Sequence, residues 1–291
     1  MNTILFGNGL NLLNGTTSWD KLVHGIDDSS IPNTLQYEAK IMKLTSKKED
    51  FSKNSELSLK KEIATEMGKY MSNEIYRHLA SIDNVDHYVT TNYDDVMEHT
   101  LNSIGYKTIN WVRRETAYSL RRRIVLANEG KEKLLWHCHG EIFAPPTIML
   151  GLDQYCGSVG RISEYLSGKY KFKDGKDDVI VPKMSERLYG DFGQINSWVD
   201  LFFISNVHIV GFSLLYEETD IWWVLTRRMR LIKQGKKINN RIIFFGDVKE
   251  GKEELFRSLG VEVYKHKSVI KNNDYWPFYR EVVNVIGKMT R

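Results

Sequence analysis

The sequence predicts an α/β fold: a doubly wound, Rossmann-like parallel sheet with a helical insertion. Three features of the 291 residues carry this expectation. Short apolar, β-branched runs recur along the chain. Four of the five early runs stop at glycine, asparagine or a histidine-glycine pair. Helical spacing then follows, and strands alternating with helices demand parallel crossovers.

The first run, "TILFGNGLN", opens the chain, and its glycine-rich loop is expected to start a helix. "VDHYVTTNYDD" is the second; after it Asp94 or Asp95 can cap a helix through "DVMEHTLNSIG", with Gly105 as terminator. "KLLWHCHGE" is the third run and "NVHIVGFSLLYEETD" the fourth. The stretch "ETDIWWVLTRRMRLIK" then has the spacing of an amphipathic helix with a basic outer face. "RIIFFGDVKEG" leads through a short helix, ended by Gly260, into a last strand, "VEVYKH". Two stretches break this rhythm. Residues 33–82 read as helices interrupted by a lysine-rich segment, and residues 157–200 as irregular loop sequence ending in a helix. One domain spanning 1–291, with these two additions, is the expected layout.

Composition narrows the function. At 42% hydrophobic residues the chain can bury a substantial core. Two cysteines, Cys138 and Cys156, are too few for a disulfide scaffold and fit a reduced, cytoplasmic setting. The opening residues lack the basic start and apolar run of a secretory signal, and no stretch is long enough to cross a bilayer. A net charge of +4 is well short of a dedicated nucleic-acid binder, so direct nucleic-acid binding is not expected. The basic runs "SLRRRIV" and "TRRMRLIKQGKK" are expected on solvated helix faces. Trp222 and Trp223 are expected on a helix beside the late loop, at least one of them in the core.

In an open parallel sheet, ligands sit outside the carboxyl ends of the strands. The first run ends in Asn8, Gly9 and Asn11, the second in Thr91, Asn92 and Asp94, the third in His137, His139 and Glu141, and the fourth in Gly211 and Ser213. All are thereby aimed at one edge. The "GNGLN" loop can bring backbone amides to a phosphate at a helix start, although Leu12 stands where a dinucleotide fingerprint has its third glycine. In "WHCHGE", strand alternation sets His137 and His139 on one face and Cys138 on the other. That arrangement disfavours a shared metal ion, and it denies Cys138 a base on its own face. His139 is left as a candidate general base near the crevice, with Gly140 turning the chain and His137 packed deeper. Asp94 has two roles open to it, helix cap or ligand contact.

Together these loops resemble the sirtuin-like family of NAD-consuming enzymes. "GNGLN" looks like the family's glycine-rich first loop, "TTNYD" like its threonine-asparagine-aspartate loop, "HG" like its catalytic histidine-glycine, and "VGFSLLYEETD" like its late nucleotide-contact loop. The order holds from Gly7 to Asp220. The opening "ILFGNGLN" is also similar to that of bacterial abortive-infection proteins. Two departures matter. Protein-deacylating sirtuins carry a four-cysteine zinc ribbon, which two cysteines cannot build, and Glu141 replaces the usual serine after the histidine-glycine pair. Ribbon-free relatives in anti-phage systems are implied to hydrolyse NAD to nicotinamide and ADP-ribose. The resemblance thus implies NAD as substrate with no metal, and Asn92, His139 and Asp94 as catalytic residues. It places Gly7, Asn8, Gly9, Asn11, Thr91, Gly211 and Ser213 around the nucleotide. Assembly as a homo-oligomer or with a partner subunit of a defence system is implied as well. A non-catalytic NAD- or ADP-ribose-binding regulatory subunit is the alternative.

Overall fold

A computed structural model of the chain describes residues 1–16, 53–112, 116–190, 192–268 and 270–291. The helical insertion expected at 33–82 therefore lies partly outside the described residues. Its remainder holds helices α1 (Lys53–Met67) and α2 (Glu74–Ala80).

The strand-helix alternation read from the sequence is present. Strand β1 (Asn2–Phe6) enters a 3₁₀ helix, Asn8–Asn14, and β2 (His87–Thr90) leads to α3 (Val96–Ser103). Past β3 (Lys107–Val112), β4 (Arg123–Asn128) and β5 (Lys131–His137) comes the long helix α4 (Leu152–Ser167). A small hairpin follows, β6 (Lys171–Asp174) and β7 (Asp177–Ile180), and then α5 (Met184–Arg187) and α6 (Trp198–Ile204). The chain ends with β8 (Asn206–Val210), α7 (Thr219–Lys233), β9 (Ile242–Phe245), α8 (Glu250–Ser258), β10 (Val261–Tyr264) and α9 (Trp276–Met289).

Eight strands form one sheet in the order β10-β9-β8-β1-β2-β5-β4-β3. From β10 to β5 every neighbour pair is parallel, whereas β4 and β3 add an antiparallel edge. Chain order reverses between β1 and β8, which makes their carboxyl ends the topological switch point.

Alternate residues of the central strands feed two cores, one on each face. Leu5, Val89, Trp136 and Ile209 pack with α4, α6 and α7 on one side. Ile4, Phe6, Tyr88 and Val210 pack with α2, α3 and α9 on the other. A smaller cluster sets α1 against Tyr93, Ile148 and Leu150, beside the switch point.

Two expectations change. "SLRRRIV" is not a solvated helix face: Arg121 and Arg122 are buried, and Arg123 starts β4. Residues 157–167 are helix rather than loop, continuing α4, and a hairpin follows. Arg228 of "TRRMRLIKQGKK" is buried too, its guanidinium donating to the carbonyl of Asn240. Trp222 and Trp223 both pack partly buried against the first core.

Candidate functional site

The switch point is drawn tight by glycine. Gly7 N donates to Val210 O at 3.3 Å and Gly9 N to Gly211 O at 2.8 Å. A Cβ on Gly9 would lie 2.6 Å from Tyr279 Oη and 2.7 Å from Gly211 O, so no other residue fits there. These two amides join β1 to the β8 loop. The glycines act by shape.

Beneath this loop lies a buried polar chain. The Tyr76 hydroxyl donates to Asn11 Oδ1 at 2.8 Å, and Asn11 Nδ2 donates to Asp94 Oδ2 at 2.8 Å and Asn8 Oδ1 at 3.0 Å. Asp94 Oδ1 accepts from Val96 N at 3.1 Å, so this carboxylate caps the start of α3 and also belongs to the site. Burial lifts the Asp94 carboxyl to about 6, against the lowering effect of the Asn11 and Val96 hydrogen bonds.

Thr90, the last residue of β2, accepts the Asn92 amide on its Oγ1 at 3.0 Å and so sets the direction of the next loop. Asn92 is buried beside the Tyr76 hydroxyl, to which its side-chain amide donates. The Tyr93 hydroxyl donates to Met149 O, tying this loop to the segment after β5.

Strand β5 ends at His137, one step before the cysteine. Alternation therefore lapses, and Cys138 and His139 are not on opposite faces: the thiol interacts with the His139 ring. Cys138 remains an unpromising nucleophile, because burial raises its pKa and its Sγ donates to Thr90 O at 3.0 Å. Gly140 takes a φ of +103°, and the chain doubles back so that Met149 N donates to His139 O at 3.0 Å.

Buried His139 is held between two acids. Its Nε2 lies 3.1 and 3.3 Å from the Asp220 oxygens, and its Nδ1 3.5 Å from Glu218 Oε2. Burial alone would lower the ring's pKa; Cys138 and Asp220 outweigh it and raise the value well above the ordinary range. Glu218 is lifted to about 7 by burial, with His139 pulling down and Asp220 pushing up. His139, Glu218 and Asp220 each offer an atom within 4.8 Å of the others, the one such group among the described residues that could enclose a metal ion. Their hydrogen bonds favour a different account: Ile221 N and Ser158 Oγ already donate to Asp220, and Tyr155 Oη to Glu218.

The late loop is pinned from outside. Lys252 Nζ donates to the carbonyls of Ser213 and Leu214 at 2.7 and 2.8 Å, and Trp222 Nε1 to that of Leu215 at 2.8 Å.

Around the switch point these groups border a cavity of about 870 Å³, within the range of small-molecule sites. Of the residues singled out in the sequence, Asn8, Gly9, Thr91, Asn92, His139, Gly211 and Ser213 line it, whereas Gly7, Asn11 and Asp94 sit behind the wall. The cavity continues past the end of β9 to Asp247 and to Asn273–Trp276, giving it an elongated outline. No lysine or arginine lines it among the described residues. His137 and Glu141 are buried away from it, with Glu141 Oε1 3.8 Å from Arg122 Nε. Sequence reasoning missed Glu218, Asp220 and Tyr155. The two acids stand in "EETD", where a helix start makes acids unremarkable.

A mostly parallel sheet with a glycine-tight switch point and a cavity at its strand ends defines a Rossmann-like α/β protein. The SIR2-like domain family matches residues 86–264, more than half of the chain. The protein belongs to that SIR2-like family. Among solved structures, a Sir2 variant described with a deacetylated p53 peptide and 3′-O-acetyl ADP ribose is similar over 99% of this chain and 94% of that one, at 14% identity and a TM-score of 0.38. Comparison with curated proteins gives no match. Among the described residues, no helix is long and apolar enough to cross a membrane.

Proposed function

We propose that residues 1–291 form a catalytic domain that binds NAD in this cavity and hydrolyses its nicotinamide-ribose bond to nicotinamide and ADP-ribose. The observation that carries this is the meeting of Asn92 and His139 in one cavity at the switch point of a SIR2-like chain. Cleavage leaves the bonding pair on the nicotinamide nitrogen, which departs as a neutral ring, so no acid on the leaving group is needed. Support for an oxocarbenium-like ribose and a positioned water is needed instead. Asn92 holds the ribose hydroxyls and the water. His139 faces the reacting carbon, and Asp94 acts from behind through Asn11. Thr91, Asn8 and Ser213 offer neutral polar groups to the diphosphate, and Gly9 and Gly211 give it room. No metal enters these steps.

Nicotinamide release from NAD tests the proposal directly. Wild-type protein is expected to turn over, and Asn92→Ala and His139→Ala to lose about 100-fold or more. Equal release by all three would overturn the site. A second reading, a regulatory subunit that binds NAD or ADP-ribose without cleaving it, is favoured by the charge on His139, since a protonated ring is no base. It expects saturable binding with no product at high protein concentration. We further infer from the family resemblance a cytoplasmic toxic effector of anti-phage defence, acting as a homo-oligomer or beside a partner subunit. Cells carrying the wild type should then survive phage challenge where cells carrying His139→Ala do not.

A further inference from the structure

Hydrolysis leaves one proton to place. The bond between C1′ and the nicotinamide nitrogen breaks with its electron pair on nitrogen, water oxygen bonds to C1′, and the water gives up a proton. Both nitrogens of the His139 ring face carboxylates, at 3.1 and 3.5 Å, so neither is turned to the attacking water to accept it.

The two acids beside His139 differ in what they can reach. Asp220 is fully buried and does not border the cavity; Oδ1 takes the Ile221 amide at 2.8 Å and Oδ2 the Ser158 hydroxyl at 3.1 Å. Its lone pairs face protein donors and the ring. Glu218 borders the cavity, and its side chain is 18% exposed. Besides His139 it has one donor, the Tyr155 hydroxyl at 3.3 Å. Its backbone stays put because the loop before it is clamped by Lys252 and Trp222.

We propose that Glu218 is a catalytic residue of this site: its carboxylate takes the proton from the water attacking C1′, while the His139-Asp220 ion pair positions it. The proposal rests on the NAD-hydrolase reading above. Atoms balance as NAD and water giving ADP-ribose, nicotinamide and a proton on Glu218, which then leaves to solvent through the cavity. The carboxylate also favours positive charge developing on the ribose before it receives the proton. The charged and titratable groups facing it are His139 after β5, Tyr155 on α4, and Glu217 and Asp220 in its own segment. Among them only His139 is cationic. A carboxyl lifted to about 7 is close to half ionised at neutral pH, where a general base works best.

The test combines turnover with the titration of His139. Nicotinamide release is followed against pH for wild type, Glu218→Gln and Glu218→Ala, the last with and without formate, and isotope-labelled His139 is followed by NMR in the ligand-free wild type and Glu218→Gln. The wild-type kcat should rise through about pH 7. Glu218→Gln should lower kcat roughly 100-fold or more with KM within a few fold, and lose that rise. Formate should restore part of the Glu218→Ala rate, an effect that repair of a merely structural contact would not produce. The His139 signal should show a step near pH 7 that Glu218→Gln abolishes. A Glu218→Gln enzyme with wild-type kcat and pH profile overturns the proposal while leaving the hydrolase intact. A folded wild type that releases no nicotinamide overturns the hydrolase and this role with it.

Discussion

At the residue scale, Asp94 serves two structures with one carboxylate. One oxygen caps α3 through Val96 N, and the other holds Asn11 behind the cavity wall. Because burial lifts its folded value to about 6 from an ordinary 3.8, folding favours the protonated form. Stability from this group is therefore greatest in acid and is lost as pH rises from about 4 to 6. Asp94→Asn removes that titration while keeping an acceptor for the cap. The variant should gain on the wild type across this window by up to ~3 kcal/mol, measured by denaturant unfolding at pH 4 and 7. Its NAD turnover should fall at least tenfold; unchanged turnover would leave Asp94 as a cap alone. Neither role could be chosen from "TTNYDD", since a carboxyl at the start of a helix looks the same either way. Glu218 and Asp220 were hidden for a related reason. His139 stood out by its glycine, but the acids that set its charge arrive from 81 residues away, a pairing that no local pattern encodes.

At the scale of elements, the strands that end at the site were legible because each apolar run stops at a residue unsuited to continuing it. What stayed hidden was structure whose local signals conflict with tertiary demands. Gly157 argues against a helix, yet in α4 it stands where a Cβ would come within 2.6 Å of the Tyr118 ring, so close packing explains the glycine and the helix tolerates it. The β3–β4 edge was hidden by "SLRRRIV", whose arginines suggest solvent but enter the protein. Gly140 is the opposite case, a glycine whose purpose was readable. At a φ of +103°, a Cβ there would meet Thr147 O at 2.3 Å, in the turn that aims His139 and folds residues 141–149 back. Gly140→Ala should therefore destabilise the protein by roughly 2 kcal/mol or more through backbone strain and overlap. A lowered urea midpoint with an unchanged slope would register it. A shift under about 0.5 kcal/mol would mean that the turn relaxes without strain.

At the scale of the whole molecule, the sheet is covered on both faces, so most central strand positions are apolar, as a doubly wound fold requires. The apolar runs announced that burial, and the switch point followed from chain order; one exception is His208. It lies in β8 opposite Ile4 and Ile243, its ring tilted against Phe245, and neither ring nitrogen has a hydrogen-bond partner among the described residues. Burial, with Arg241 adding a little, lowers its pKa to about 4, so the folded protein holds the ring neutral. The unfolded chain binds that proton near pH 6.5, and stability from this group is present above 6.5 and lost as pH falls toward 4. Leucine fills similar space without orphaned nitrogens. His208→Leu should therefore raise stability by about 1 kcal/mol at pH 7, and its advantage should widen by up to ~3 kcal/mol as pH drops to 4. The acids lifted by burial, Asp94 and Glu218, move stability in the opposite sense over overlapping pH ranges, so the wild-type curve alone would blur the effect. The difference between His208→Leu and wild type isolates it, because those acids are common to both. A variant no more stable than wild type at either pH would mean that the sheet interior solvates this ring, and that its burial carries no penalty.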